Sequence, residues 1–291
     1  MKPVLIVHGG CGTPPPEEEK LRMDACERAA DAGWQVLRQG ASAIEAVEVA
    51  IRQLEDEPLL NAGTGSYLQA DGVARMDASL MASDGRAGSV AQIPGLKNPI
   101  RLARYLLEQD AHVMICGQEA LNLALRLGFD PAVVATEAKI TYWREHLTEH
   151  NMRLDYQKMA DEWKSENPRL GTVGCVALDT EGRLAAGTST GGTGQCYPGR
   201  IGDTPIIGAG TFCTPLVGVS LTGVGERIMV LLSAKRLSDL VKDGKSLEAA
   251  GQIVLAEIDE LASFAGLIAI DHQGNAIAHK NTPFMSTAIR S

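Results

Sequence analysis

A threonine hydroxyl is a useful nucleophile only with a base beside it. The stretch from Gly171 to Thr190, GTVGCVALDTEGRLAAGTST, offers one way to supply that base from within a single residue. If the Gly171–Thr172 peptide bond were cut, Thr172 would carry a free α-amine. The reference pKa of such an amine, about 7.7–8.0, leaves a neutral fraction near neutral pH that can accept the hydroxyl proton. Taken alone, a threonine that opens a strand is only a β-branched residue in a favourable place. His8 invites a reading as a general base, but it ends a buried apolar run and the nucleophile would bring its own base, so a structural histidine is expected. The glycine-rich run Gly187 to Gln195 suggests a phosphate loop. It lacks the lysine of a P-loop and the G-x-G-x-x-G spacing before a helix, and that reading is rejected.

The elements that must carry Thr172 are readable from periodicity. Residues 173–178 alternate, Asp179 to Gly182 offers a turn, and Leu184 to Ser189 returns, which predicts a β-hairpin. A first strand is expected over 3–8 and a helix from about Glu17 to Gly40, with acidic residues in its first turn. Ser42 with Glu45 reads as a capping box for a second helix. Residues 66–93 read as a meander turning at Gly72, Asp84-Gly85 and Gly88. Helices are expected from Pro99 to Leu107 and from Gln118 to Leu127, with a short buried strand at His112 to Cys116 between them. The charged segment from Thr136 to Leu170 reads as a helix and then an exposed connector, where a proteolytic junction or an ordinary linker would both fit. Beyond the hairpin, strands are expected near 205–209 and 216–221, helices at 224–242 and 246–262, and last strands at 266–270 and 275–279. This order predicts an α+β fold with antiparallel sheets.

Composition narrows the function classes. Hydrophobic residues make up 45% of the 291 and aromatics only 4%, which predicts a core of small aliphatic side chains. A net charge of −9 leaves no basic stripe for phosphates and argues against nucleic acid. No apolar run is long enough for a membrane span. MKPVLIVHGG is too short and too soon glycine-rich for a signal peptide, so a cytoplasmic location is expected. The six cysteines show no CxxC pair and are read as buried free thiols.

Six ordered motifs carry a resemblance over nearly the whole chain. They are His8-Gly9-Gly10, Asn61-Ala62-Gly63, Gly171 to Gly174, Thr188 to Gly192, Pro198 to Asp203 and Thr222 to Glu226. Together they resemble the plant-type asparaginase / isoaspartyl peptidase family of N-terminal nucleophile hydrolases. The resemblance implies a four-layer αββα sandwich formed by one domain over residues 1–291. Self-cleavage between Gly171 and Thr172 would divide it into an α subunit, 1–171, and a β subunit, 172–291. It implies Thr172 as nucleophile, Thr190 orienting its hydroxyl from the neighbouring strand, and Asn61 reaching the same neighbourhood. Thr222 and Gly223 would form the oxyanion hole. Arg200 would grip a substrate α-carboxylate, for which only a guanidinium offers two parallel donors, and Asp203 would take the α-ammonium. A local Arg200–Asp203 salt bridge is the plainer alternative. No cofactor is required. A structural sodium ion would be held by the backbone carbonyls of Leu54, Glu55, Glu57, Leu60, Ala62 and Thr64.

The implied reaction is hydrolysis of L-asparagine and β-aspartyl dipeptides by a cytoplasmic homodimer of αβ units, with small-molecule substrates as its other partners. Two alternatives stay open: an uncleaved, non-catalytic homologue that binds aspartyl compounds, and a glycosylasparaginase. Departures from the family pattern fall at Cys11, at Thr193 to Tyr197 and at Thr211 to Thr214, which bears on the leaving-group side of the pocket.

Overall fold

The computed structural model describes residues 1–147 and 171–291. The expected connector therefore begins inside the described residues, as a helix, and its remainder lies outside them. The strands are β1 (Val4–Gly12), β2 (Arg75–Ala82), β3 (Ala87–Pro94), β4 (Met114–Cys116), β5 (Val173–Leu178), β6 (Leu184–Thr190), β7 (Thr211–Cys213), β8 (Val217–Gly223), β9 (Ala265–Asp271), β10 (Ala276–Lys280) and β11 (Phe284–Arg290). They form a seven-stranded sheet in the order β11-β1-β5-β6-β2-β3-β4 and a four-stranded sheet in the order β10-β9-β8-β7. All pairings are antiparallel except that of β3 with the short β4.

The helices are α1 (Pro16–Arg38), α2 (Ala43–Glu55), α3 (Pro99–Gln109), α4 (Gly117–Arg126), α5 (Glu137–Glu145), α6 (Gly225–Leu231), α7 (Ser233–Lys242) and α8 (Leu247–Asp259). Glu17, Glu18 and Glu19 occupy the first turn of α1, where their charge meets the positive end of the helix dipole. Ser42 caps α2 by accepting from the Glu45 N–H at 3.3 Å. One apolar cluster joins α1 to α4 with the seven-stranded sheet. A second joins the four-stranded sheet with α7 and α8. A third holds Val4, Ile6 and Val176 against Ile268 and Ile270, so the two sheets share a core. The close approach depends on small residues: a Cβ on Gly187 would stand 2.8 Å from Val47 and 2.9 Å from Ile51 of α2.

Several expectations are corrected. Gly88 lies within β3, not at a turn, because α3 crosses it so closely that a Cβ would strike the Ala103 carbonyl. Residues 66–74 form a loop, and only the β2–β3 hairpin remains of the expected meander. The strand near Cys116 is a partly exposed edge, and Cys116 itself is exposed; the other five cysteines are buried, and all six are free. Residues 205–209 turn instead of extending, because the Asp203 carbonyl collects the N–H groups of Ile206 and Gly210 at 3.1 Å each. The single helix expected over 224–242 breaks at Leu232, whose φ of 48° is left-handed. Strand β11 was not expected, although Phe284 to Arg290 pairs with β1 and completes the sheet on that side. Among the described residues no helix is long and apolar enough to cross a membrane.

Candidate active site

The β5–β6 hairpin places Thr172 by register. Asp179 fixes its turn: one carboxylate oxygen accepts from Glu181 and Arg183 N–H at 3.0 Å each, and the other accepts from the Ala43 N–H at 3.2 Å. The turn is thereby tied to the start of α2. Val173 then pairs with Ser189, and Thr172 comes to lie beside Thr190. Both threonines are buried. The Thr172 hydroxyl donates to Thr190 Oγ1 at 3.2 Å, and Thr190 Oγ1 also accepts the Gly192 N–H at 3.1 Å. This pair is an ordinary cross-strand contact in form, but it leaves the nucleophile candidate oriented at the open end of the hairpin.

Gly171 is confined on two sides. A Cβ on Gly10 would stand 2.6 Å from Gly171 Cα, and Gly10 has a φ of +98°, so position 10 excludes other side chains twice over. A Cβ on Gly171 would stand 2.9 Å from Asn61 Cβ. The Asn61 amide is committed elsewhere: Nδ2 donates to the Gly192 carbonyl at 2.6 Å and Oδ1 accepts from the Tyr67 N–H at 3.0 Å. Asn61 thus meets the Gly171–Thr172 region by packing on Gly171 and by fixing the chain after β6.

The second sheet faces the hairpin through hydroxyls. Ser220 Oγ lies 2.7 Å from Thr188 Oγ1 and 3.0 Å from His8 Nε2. Gly174 leaves the room, since a Cβ there would collide with Ser220. Two residues on, alternation puts Thr222 and Thr190 on the same facing surfaces. The Thr222 hydroxyl is buried and has no hydrogen-bond partner among the described residues. Gly223 follows at a φ of +150°, pressed against the Phe264 carbonyl and Ala265. Burial lowers the pKa of His8 to about 3, partly opposed by the Thr172 backbone, so its ring is neutral.

The charged groups sit beyond the end of the hairpin. Arg200 Nε and Nη2 each lie 2.9 Å from Glu226 Oε1. The salt bridge therefore runs to Glu226, and the simple local Arg200–Asp203 pair is not formed. Arg200 and Asp203 nevertheless border the same space. A Cβ on Gly225 would be 2.7 Å from Asp203 Oδ1 and 2.9 Å from Arg200 Nη2. Nη1 lies 3.9 Å from where a Gly192 Cβ would stand, which brings the guanidinium next to the Thr190–Gly192 turn.

Burial pushes Asp203 up to about 7 against the pull of Arg200, and Asp203 Oδ2 has no hydrogen-bond partner among the described residues. Burial also works to raise Glu226, but the charge and hydrogen bonds of Arg200 outweigh it and hold that carboxyl below its ordinary value.

Sequence reasoning missed the groups that hold this region. Asp77, opposite Thr190 in the register, is pushed by burial to about 6 and accepts from the Gln92 N–H at 2.7 Å. Gln92, at a φ of +52°, donates to the Arg200 carbonyl at 2.6 Å, and Gln69 joins Gln92 to the Gly199 N–H. Glu226 lay inside a recognised motif and could have been singled out. Gln69 and Gln92 carry no pattern that would flag them.

The loop after α2 is closed by its own backbone. The Thr64 N–H donates to the Glu55 carbonyl at 2.7 Å and the Leu60 N–H to the Glu57 carbonyl at 3.1 Å. Gly63 and Gly65 both have positive φ, and a Cβ on Gly65 would fall against the carbonyls of Pro58 and Leu60.

The whole chain, residues 1–291, matches the family described as asparaginase. It is 42% identical over 292 residues to the plant-type L-asparaginase of Pyrococcus horikoshii, covering 98% of this chain and 95% of that one. It is 37% identical to the isoaspartyl peptidase of Escherichia coli over 99% of this chain and 92% of the relative. To the isoaspartyl peptidase/L-asparaginase of Bos taurus it is 38% identical, over 94% and 88%.

Proposed function

This chain belongs to the asparaginase family, and from that premise we propose that it is a hydrolase of L-asparagine and β-aspartyl dipeptides that activates itself by cutting Gly171–Thr172. The observation that carries the reading is the Thr172–Thr190 hydroxyl pair placed directly after a confined Gly171. In the precursor, Thr172 Oγ1 attacks the Gly171 carbonyl carbon. The C–N bond breaks, an ester forms, and water hydrolyses it to a Gly171 carboxylate and the free α-amine of Thr172. In turnover that amine takes the proton from the Thr172 hydroxyl as the oxygen attacks the substrate β-carbonyl. The Thr222 hydroxyl and the Gly223 N–H receive the developing oxyanion; a donor of this kind is typically worth about 10²–10³ in rate. The protonated amine hands its proton to the departing ammonia or amino acid. Water then releases L-aspartate and restores Thr172.

Arg200 and Asp203 hold the α-carboxylate and α-ammonium of the aspartyl unit in this reading. An α-linked Asp-X peptide has no free α-carboxylate for Arg200 and is a poor substrate. The three apolar clusters support ordering the layers helix, sheet, sheet, helix, as in an αββα sandwich. The reading includes one domain divided into 1–171 and 172–291, a homodimer of such units and a cytoplasmic location. The loop from Leu54 to Thr64 would hold the sodium ion through carbonyl oxygens: Gly65 leaves open the space that the Leu60 carbonyl borders, while the Leu54, Glu55 and Glu57 carbonyls already accept backbone N–H groups. Such an ion would stiffen the loop that carries Asn61.

Intact mass and N-terminal sequencing of the purified protein test the reading. Two fragments are expected, the smaller beginning Thr-Val-Gly-Cys, with Thr172→Ala remaining one chain and inactive on asparagine. A different N-terminus, or an active alanine variant, removes Thr172 as the nucleophile.

A further inference from the structure

Strand β3 carries an extra residue opposite β2. Between the pairs Met76–Ile93 and Ala78–Val90, β2 has Asp77 where β3 has both Ala91 and Gln92. This is a β-bulge, and Gln92 within it is left-handed, at a φ of 52°. Glycine would hold that conformation without strain, whereas a glutamine there costs stability. The bulge is pinned from the nucleophile's side. Asp77 accepts the Gln92 N–H at 2.7 Å and pairs with Thr190 in the register of β2 and β6.

The side chain that the bulge re-aims ends on the main chain of Arg200. Gln92 Nε2 donates to the Arg200 carbonyl at 2.6 Å, and its Oε1 accepts from Gln69 Nε2 at 3.0 Å. Gln69 Oε1 accepts in turn from the Gly199 N–H at 3.2 Å and from Arg75 Nη1 at 2.6 Å. Both ends fix the polarity of this relay. Arg75 and the Gly199 N–H can only donate and the Arg200 carbonyl can only accept, so each amide has one orientation. Asp71 anchors Arg75 by a salt bridge at 2.8 Å. Arg200 is thus held twice. Glu226 takes the Nε–Nη2 edge of its guanidinium, and the relay fixes the peptide from which the side chain springs. Nη1, beside the Thr190–Gly192 turn, then stands where the main chain puts it.

We infer that Gln92, backed by Gln69, is a positioning residue for substrate affinity: it holds the Arg200 backbone so that the guanidinium meets the α-carboxylate of the aspartyl substrate. This inference rests on the reading of Arg200 as the carboxylate grip. The left-handed backbone argues against a merely structural role. For stability alone glycine is the better residue at a φ of 52°, so what Gln92 adds is its amide.

The test compares wild type with Gln92→Gly and Gln92→Met, each alone and combined with Arg200→Lys. Glycine relaxes the bulge and removes the amide; methionine keeps the side-chain length and removes the amide. Both single variants should self-cleave as wild type does. They should raise KM for L-asparagine about three- to tenfold, the scale of one lost hydrogen bond, with kcat within about twofold, the mark of binding shared by ground and transition states. Inhibition by L-aspartate should weaken by the same factor, and the Tm of Gln92→Gly should not fall. A lysine ammonium is a point charge with no fork to orient, so in the Arg200→Lys background the changes at Gln92 should move KM by less than about twofold. An unchanged KM in the single variants overturns the inference and leaves Arg200 as the grip. So does a Gln92→Gly variant that loses Tm and kcat together, or an equal KM effect in the lysine background. An Arg200→Lys enzyme as active as wild type overturns the grip itself, and the positioning role with it.

Discussion

The two halves of the site are built from different materials. Around Thr172 the groups are uncharged and on strands: Thr172 with Thr190, Thr188 with Ser220 and Thr211, and Ser220 with the neutral His8. Around Arg200 they are charges on loops and at the start of α6. A hydroxyl donates and accepts, so strands that bring hydroxyls together satisfy them at little cost. Buried charges demand specific partners. Arg200 and Glu226 find each other, while Asp203 Oδ2 has none and its pKa rises to about 7. Apart from the Thr222 hydroxyl and His8 Nδ1, the hydroxyl half is satisfied without substrate among the described residues, and the charged half is one cation short. A substrate α-ammonium would be that cation.

The largest break in this comparison is Arg200→Ala. Truncating one partner of a desolvated charge pair typically costs about 2–5 kcal/mol, or roughly 30-fold to a few thousand-fold in kcat/KM. Self-cleavage should proceed, because it draws only on the hydroxyl half. Parallel assays of asparagine turnover and of fragment formation by mass check both. A variant that neither hydrolyses nor cleaves would mean that the halves are not separable.

Asp203 gives the next effect. A protonated Asp203 cannot take an ammonium, so kcat/KM on asparagine should fall as pH drops below about 7. The Thr172 amine, with a reference pKa of about 7.7–8.0, must also be unprotonated, so the acid limb of wild type should lose two protons. Asp203→Asn should retain a limb of one proton and lose about 10–100-fold, as expected for a hydrogen bond to a charged group. A two-proton limb in the variant would assign the second ionisation to another residue, and Asp77, at about 6, would be the first to examine.

The same division decides how much was legible beforehand. Thr172 opposite Thr190 follows from strand alternation and a turn at Asp179, which are local and periodic. The side-chain partner of Arg200 does not follow, because it depends on three glycines, at 192, 202 and 225, that let separate segments converge. The charge three residues away, Asp203, was the visible partner, yet Glu226, 26 residues on, is the one that binds. Gln69 and Gln92 act through polar contacts that leave no trace in hydrophobic pattern. Strand β11 escaped notice because Met285, Ser286 and Ala288 are buried in a pattern too irregular to read as alternation.

The smallest expected effect tests a carboxyl that lies under the hydroxyl half. Glu55, at the end of α2, is fully buried, and its Oε1 accepts from Ser189 Oγ at 2.7 Å and from the Ile100 N–H at 3.1 Å. Burial raises its pKa from 4.5 to about 8, against those hydrogen bonds. Below pH 4.5 folded and unfolded chains both carry the proton, and Glu55 adds no pH dependence. Between 4.5 and 8 the folded chain keeps the proton and the unfolded chain has lost it, so stability falls as pH rises. Above 8 the penalty is complete. Glu55→Gln keeps an oxygen for Ser189 and Ile100 and removes the ionisation. Its advantage over wild type should therefore be near zero at pH 4.5, grow with pH and level off above 8. There it should reach ~1–2 kcal/mol, or a Tm higher by roughly 2–8 °C, a conservative fraction of what the shift implies. Asparagine turnover should stay within about twofold, since Ser189 points to the opposite face of β6 from Thr190. Thermal unfolding of both proteins at pH 5, 7 and 9 checks the trend. A constant offset across the three would show that Glu55 is ionised in the folded chain throughout, and that the hydroxyl half rests on a charge after all.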